Sequence, residues 1–550
     1  MIFFEILLFL MSILLLSLSV SGYGKLLRLK IENNFFLEIL LGFVLVTLIV
    51  TVLHFFFKIN LAISFTLFLF GWIFFFKKKN YNFLLIFKKK NIPYIIIVFL
   101  FIPMFLSQKY HEDFGYYHLP YALGFIEEKI ILGFANIDKS YVYNSIWLNL
   151  YSLFFLDDKN FDFLTLPSFI LFLSFILFSF NQVIFKKSAL TSDYFLIVVL
   201  FYFILKFTRI SEFGVDLPAV IYSTLAIYYF LKFFETNLLK EKKIYFFLIL
   251  TFSIFSVLIK LSTLTVILLP LYILLRNFKN LNFVIFEIKL IFIFLLFSSF
   301  LIQQFIYTGC FFFPNKLTCL NVSWFNPEYL NLSEKLELIN KSYSQEAKKI
   351  FTPEQYLENF NWLHFWIKSN FIELLEHLLT ILIPSLIFIF FLKKKDQNSH
   401  IFKEKFFLYF FLFFSLLFWL NFSPVYRFAI HLFVTLVFIL LLDFFTYKKF
   451  SKKVFVIFLT IFIFFSFSKN IIRLNKTDNI FLGIQKFDNQ YILNKNSKSR
   501  FVEFFRPDVK NNSKNGWQGR LCWDIPFICS YSKLQVDKKN GYLIINKLNN

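Results

Sequence analysis

Glycine and proline are scarce in this 550-residue chain, at 13 each, and there are only four cysteines and three methionines. So little glycine and proline excludes a collagen-like or low-complexity chain. Four cysteines over this length exclude a disulfide-dense miniprotein. Charged residues make up 17%, too few for the charge-rich composition of a disordered chain. Several chemical signatures are missing as well. There is no G-x4-G-K-[ST] loop, which argues against ATP-driven transport, and no G-x-S-x-G, H-E-x-x-H or C-x-x-C-H. No solenoid-type repeat is visible. Few charges fall in the middle of apolar runs, which disfavours a proton-coupled pump or a charged-solute channel.

What fills the chain is apolar. Hydrophobic residues reach 58%, aromatics 23%, and Phe alone occupies 91 positions; the mean hydropathy is +0.67. A water-soluble globule could not hide that surface. The expected fold class is therefore all-α, a polytopic integral membrane protein. A bilayer core of about 30 Å takes about 20 apolar residues per helix. Fourteen stretches qualify: 2–20, 35–57, 61–76, 92–106, 164–180, 194–207, 217–234, 245–258, 261–275, 288–308, 371–392, 406–422, 428–445 and 454–467. Between 245 and 275 only Lys260 and a Ser262–Thr263 pair interrupt the run, so one broken helix, a re-entrant pair and two spans all fit. The first stretch has no basic flank, carries Glu5 and lacks a small-residue cleavage site, so it is expected to be a retained span.

The net charge of +23 would suggest nucleic acid in a soluble protein. Here the cations gather in short runs between spans, at Lys77–Lys79, Lys88–Lys90, Lys393–Lys395, Lys448–Lys449 and Lys452–Lys453. That is the positive-inside pattern of cytoplasmic loops, and nucleic acid is not expected as a partner. Placing 77–91 inside and alternating puts 25–30, 186–187, 240–243, 276–279, 393–405 and 448–453 inside too. The outside receives 107–163, 208–216, 309–370, 423–427 and a small tail domain, 469–550, with both termini extracytoplasmic. The expected location is a bacterial cytoplasmic (inner) membrane. In the loop 309–370 the polar stretch Ser333–Ile350 is predicted helical, ending before Pro353. An aromatic cluster, 516–526, marks the tail.

Cys310 and Cys319 share one outside loop, and Cys522 and Cys529 share the tail. Four cysteines allow three pairings; proximity favours Cys310–Cys319 and Cys522–Cys529, as disulfides in an oxidising compartment. Neither spacing is C-x2-C and no His adjoins either pair, which disfavours zinc.

The densest polar cluster beside a span runs from His111 to Pro120. Carboxylates at a hydrocarbon boundary are costly unless solvated, paired or used. Asp113 or Glu112 is a candidate general base, because partial burial raises a carboxyl pKa toward that task; an ordinary solvated loop is the plainer alternative. A second acidic pair, Glu212 and Asp216, lies in the next outside loop. With His111 or His118 these acids could hold a divalent metal, Mg or Mn, through hard ligands. Lys260 and Arg427 fall at outside edges of spans, against the charge bias. A guanidinium there could clamp a phosphate, or the cations could simply snorkel to headgroups. The stretches 116–128 and 144–155 suit interfacial helices with rings at headgroup depth; packing against the bundle is the plainer reading, and both can hold together.

This layout resembles the GT-C superfamily of membrane glycosyltransferases: an acidic motif in the first outer loop of a seven-span module, two interfacial helices, then a second acidic motif. The module would cover 92–308, with its catalytic first outer loop at 107–163, three spans before it (1–91) and four after it (371–468). The first loop also resembles uncharacterised bacterial polytopic proteins with a D-x-G-x-Y-H motif, here Asp113-Phe114-Gly115-Tyr116-Tyr117-His118, followed by Gly133-Phe134-Ala135-Asn136-Ile137 and Asn144-Ser145-Ile146-Trp147. The resemblance implies sugar transfer from a polyprenyl-phosphate donor to a surface glycan, lipid or protein. It makes Asp113 the base and Glu112 its orienter, with Arg427 and Lys260 on the departing phosphate. His118 and Tyr116 would meet sugar or acceptor, and Asp216 and Glu212 form the second motif. That motif is E-x3-D rather than D-x-D, so it does not by itself call for a metal. A polysaccharide polymerase or ligase and a non-enzymatic lipid or glycan transporter are the rivals.

Overall fold

The computed structural model describes residues 2–27, 34–77, 92–106, 113, 117–156, 166–184, 189–206, 214–277, 288–394, 404–446, 448–476, 528, 530 and 534–547. Among these, nine helices are long and apolar enough to cross a membrane: Phe35–His54, Leu166–Ile184, Asp216–Glu235, Leu239–Ile259, Leu290–Thr308, Trp362–Phe391, Lys405–Phe422, Tyr426–Phe445 and Lys452–Arg473. Five shorter apolar helices, at Leu10–Leu26, Leu61–Lys77, Pro93–Met104, Thr191–Leu205 and Leu261–Arg276, fall on other predicted stretches. The fold is all-α apart from two short antiparallel ladders, Lys393–Lys394 with Lys448–Lys449 and Leu534–Lys539 with Tyr542–Lys547.

Burial sorts the helices into centre and rim. Over its most apolar stretch the helix Asp216–Glu235 is 94% buried inside the protein, whereas Lys405–Phe422 and Lys452–Arg473 are 28% buried. The first is wrapped by other helices; the last two leave their apolar side chains for lipid. The scarce glycines concentrate where the first three helices cross. A methyl group at Gly22 would overlap the backbone of Gly71, one at Gly24 that of Glu38, and one at Gly42 that of Val20. Without a hydrophobic drive between helices in lipid, such close approach supplies dispersion contact instead. Ser19 and Tyr23 donate across the same crossing to the carbonyls of Phe68 (2.8 Å) and Leu67 (2.6 Å).

The run 245–275 is two segments folded on each other. Leu239–Ile259 stops at Lys260, whose backbone is extended (φ −153°, ψ 118°); a 3-10 turn, Leu261–Ile267, then leads into Leu268–Arg276. In the loop 309–370 the predicted helix over 333–350 is interrupted. Leu332–Asn340 and Gln345–Lys348 are separate, with Ser342 left-handed between them (φ 62°). Pro353 opens the next helix, Pro353–Leu357, where its missing N–H costs nothing, and Thr352 caps it.

The two ends of the bundle differ. At one end the Lys393–Lys394 and Lys448–Lys449 runs pair directly, and Arg276 contacts Glu404, which also accepts from Tyr272 at 2.6 Å. At the other end Trp366 donates to the Pro424 carbonyl (2.7 Å), and Cys310 and Cys319 are disulfide-bonded. The C-terminal hairpin turns through Asn540–Gly541, both with positive φ (51° and 79°), as an Asn-Gly hairpin turn requires. It docks on the segment 117–156: Leu132 N donates to Leu543 O (3.0 Å) and Ile545 N to Leu132 O (2.9 Å). Asn136 donates to the carbonyls of Ile545 (2.8 Å) and Trp324 (2.9 Å). The cluster 516–526, Cys522 and Cys529 lie outside the described residues.

Candidate functional site

Asp216 opens the central helix, where a carboxylate meets the positive end of the helix dipole. Lys260 occupies the extended break after Leu239–Ile259. Arg427 sits in a 3-10 turn, Tyr426–Ala429, entered through Ser423-Pro424-Val425. Three separate breaks in helical structure thus deliver three charges to one place. The Lys260 ammonium contacts Asp216 Oδ1, and Arg427 Nε lies 3.3 Å from Asp216 Oδ2. Lys260 Nζ also lies 3.3 Å from the centre of the Phe428 ring, a cation–π arrangement. The three charged side chains are 18–33% exposed, so the group is recessed yet reachable.

Asp113 and Tyr117 belong to the same electrostatic neighbourhood. Burial pushes the Tyr117 phenol up, Asp113 and Asp216 push it further, and Arg427 opposes them; Tyr117 therefore stays a neutral donor. Burial pulls the Lys260 ammonium below the ordinary lysine value, with Asp216 opposing and Asp113 adding to that opposition. The Tyr117 carbonyl accepts from Tyr141 (3.3 Å), which ties this segment to the turn Lys139–Val142.

The family described as a domain of unknown function, DUF8201, matches residues 2–434. The chain belongs to this DUF8201 family. The matched region takes in Asp113, Asp216, Lys260 and Arg427 and ends before the C-terminal hairpin. No curated protein and no solved structure matches the chain.

In this DUF8201 chain His118 is buried at the start of the helix Leu119–Glu127, its ring edge-on to Tyr117 at 4.2 Å. It lies one residue from Tyr117 and so borders the charged group. His111, Glu112, Tyr116 and Glu212 lie outside the described residues. Asp216, Lys260 and Arg427 come together, with Asp113 in electrostatic range of Lys260. Among the described residues no set of three His, Cys, Asp or Glu side chains could hold a metal ion. Both oxygens of Asp216 already face a cation, which opposes a third positive charge there; this arrangement does not fit a metal.

The described parts of the stretches 116–128 and 144–155 pack against the bundle. Tyr121, Trp147 and Tyr151 are buried in the protein: Trp147 Nε1 donates to the Tyr151 hydroxyl (3.2 Å), and Tyr121 joins a separate buried polar network. Tyr121 donates to Asn149 Oδ1 (2.7 Å), and Asn149 Nδ2 donates to Thr51 Oγ1 (2.7 Å) and Gln303 Oε1 (3.1 Å). Gln303 in turn donates to Tyr307 (3.1 Å). Sequence reasoning missed this network. Its signal was the Gln303–Gln304 pair inside an apolar span, since amides in hydrocarbon need partners.

Proposed function

We propose that this chain is a membrane glycosyltransferase of GT-C-like layout, with fourteen spans in a bacterial cytoplasmic membrane and both termini extracytoplasmic. It transfers a sugar from a polyprenyl-phosphate donor to a glycan, lipid or protein acceptor at the outer face. The observation that supports this best is the meeting of Asp216 with Lys260 and Arg427, in electrostatic range of Asp113 and Tyr117. A reaction that leaves negative charge on a phosphate oxygen needs cations held where that charge grows. It also needs a carboxylate to take a proton nearby.

In this reading the acceptor hydroxyl gives its proton to Asp113 as its oxygen bonds to the anomeric carbon. The bond from that carbon to the phosphate oxygen breaks, and the electron pair leaves with the phosphate. Lys260 and Arg427 stabilise the departing oxygen. Asp216 is a positioning residue that fixes both cations, Glu112 orients Asp113, and His118, Tyr116 and Glu212 contact sugar or acceptor. No step is routed through a metal.

The test expresses Asp113→Asn and Asp216→Asn at wild-type levels in a deletion host. Mass spectrometry then reads surface glycans and lipid-linked sugars. Asp113→Asn should lose about 100-fold or more of the transfer, with the lipid-linked donor building up. Loss dominated by an Arg427 substitution, with the carboxylate variants active, would favour a polymerase or ligase. Unchanged profiles for both carboxylate variants, where the deletion itself has a glycan phenotype, would sink the mechanism and favour transport.

A further inference from the structure

A second group of cations stands at the same end of the bundle as Asp216, outside the site described above. Lys206 follows the helix Thr191–Leu205, and Lys469 and Arg473 lie one turn apart near the end of the helix starting at Lys452. These two helices and Trp362–Phe391 pack against one another. Lys206 pairs with Glu376 on the third helix, and Lys469 Nζ donates to the Leu205 carbonyl (3.4 Å). The charges of Lys206, Arg473 and Glu376 all act on Lys469. Among the described residues these three cations face the one carboxylate of Glu376, a net positive set. It lies at the end where the lysine runs are not, against the charge bias of the rest of the chain.

Its surroundings say what kind of anion fits. Phe465 and Ile461 lie one and two turns inward of Lys469 on its helix face and are 56% and 57% exposed; Leu379 and Ile383 lie inward of Glu376 in the same way, at 39% and 48%. The cations therefore cap a strip of lipid-facing apolar side chains that descends from them. A soluble anion would use the cations alone. A lipid would use both, with its phosphate on Lys469 and Arg473 and its acyl chains along the strip.

We infer that the Lys206–Lys469–Arg473 junction is a binding site for the phosphate of an anionic lipid headgroup in the outer leaflet. The site stands independently of glycosyl transfer.

The test uses the full chain in neutral-detergent micelles. Thermal unfolding is followed with added phosphatidylglycerol, phosphatidylcholine or inorganic phosphate, and native mass spectrometry counts the lipid retained. Phosphatidylglycerol should raise the midpoint and stay bound, and the other two should not. Lys469→Gln with Arg473→Gln should weaken retention of phosphatidylglycerol by about tenfold while leaving the midpoint in phosphatidylcholine unchanged. Lys469→Arg should retain it. Equal shifts from the two lipids, or undiminished retention by the double variant, would overturn the site. A shift from inorganic phosphate equal to that from phosphatidylglycerol would overturn the lipid assignment in favour of a soluble anion. If the double variant does not fold, the comparison of the three additives on the native chain decides alone.

Discussion

Taking the charge from Asp216 would leave Lys260 and Arg427 facing each other in a partly buried space. Asp216→Asn should therefore cost roughly 1–3 kcal/mol of stability, read by thermal unfolding in detergent. Adding Lys260→Met should recover part of that cost, because the uncompensated ammonium is gone; no recovery would mean that the two side chains are not coupled. Lys260 also gives a pH prediction. Its ammonium is held below the ordinary value, and a lowered cation loses its proton earlier as pH rises. Transfer that uses this charge should fall along an alkaline limb lying below the ordinary lysine value of about 10.4. Lys260→Arg, which stays charged, should move the limb upward, and a limb left in place would assign it to another group. Both cations were legible one at a time, since each breaks the charge bias of its span. Their meeting on a single carboxylate was not, because residues 216, 260 and 427 are joined only by how three helix breaks stack.

At the scale of elements, the spans were the most legible part, because a 20-residue apolar run in lipid has few alternatives to a helix. The turn at Lys260 was left open by the sequence, since one lysine and two hydroxyl residues do not distinguish a kink from a reversal. The docking of the C-terminal hairpin was not legible at all: its contacts join Leu132 and Asn136 to residues some four hundred positions away, and hydrogen bonds between backbones carry no sequence signature. Asn136→Ala removes two donations and strands the carbonyls of Ile545 and Trp324. It should cost roughly 1–3 kcal/mol locally and speed amide exchange at Leu132 and Ile545. Gly133→Ala should do the same by another route, because Gly133 has φ 74° and a methyl group there would meet the Ile545 carbonyl. Exchange at both amides as slow as in the native chain would show that the hairpin is held by something other than this contact.

For the whole molecule, the two ends carry the argument about orientation. The lysine runs expected inside pair with each other at one end. The disulfide, the helices of the 309–370 loop and the Asp216 group gather at the other. The hairpin is bonded to the segment 117–156, so the C-terminal strands and that segment must share a side of the membrane whichever side it is. A disulfide persists in an oxidising compartment, and clustered lysines favour the cytoplasm. These two arguments rest on different chemistry, and both support the orientation proposed above. Single cysteines introduced as Lys538→Cys and Lys394→Cys, both at exposed positions, test it with a membrane-impermeant thiol reagent on spheroplasts. The first should label in intact spheroplasts and the second only after permeabilisation. The reverse order would turn the bundle over and put the Asp216 group in the cytoplasm, where a soluble nucleotide sugar replaces a lipid-linked one as the natural donor. Labelling of both in intact spheroplasts would mean that the lysine runs do not lie across the membrane from the hairpin, and the alternation of spans would then fail between residues 394 and 538.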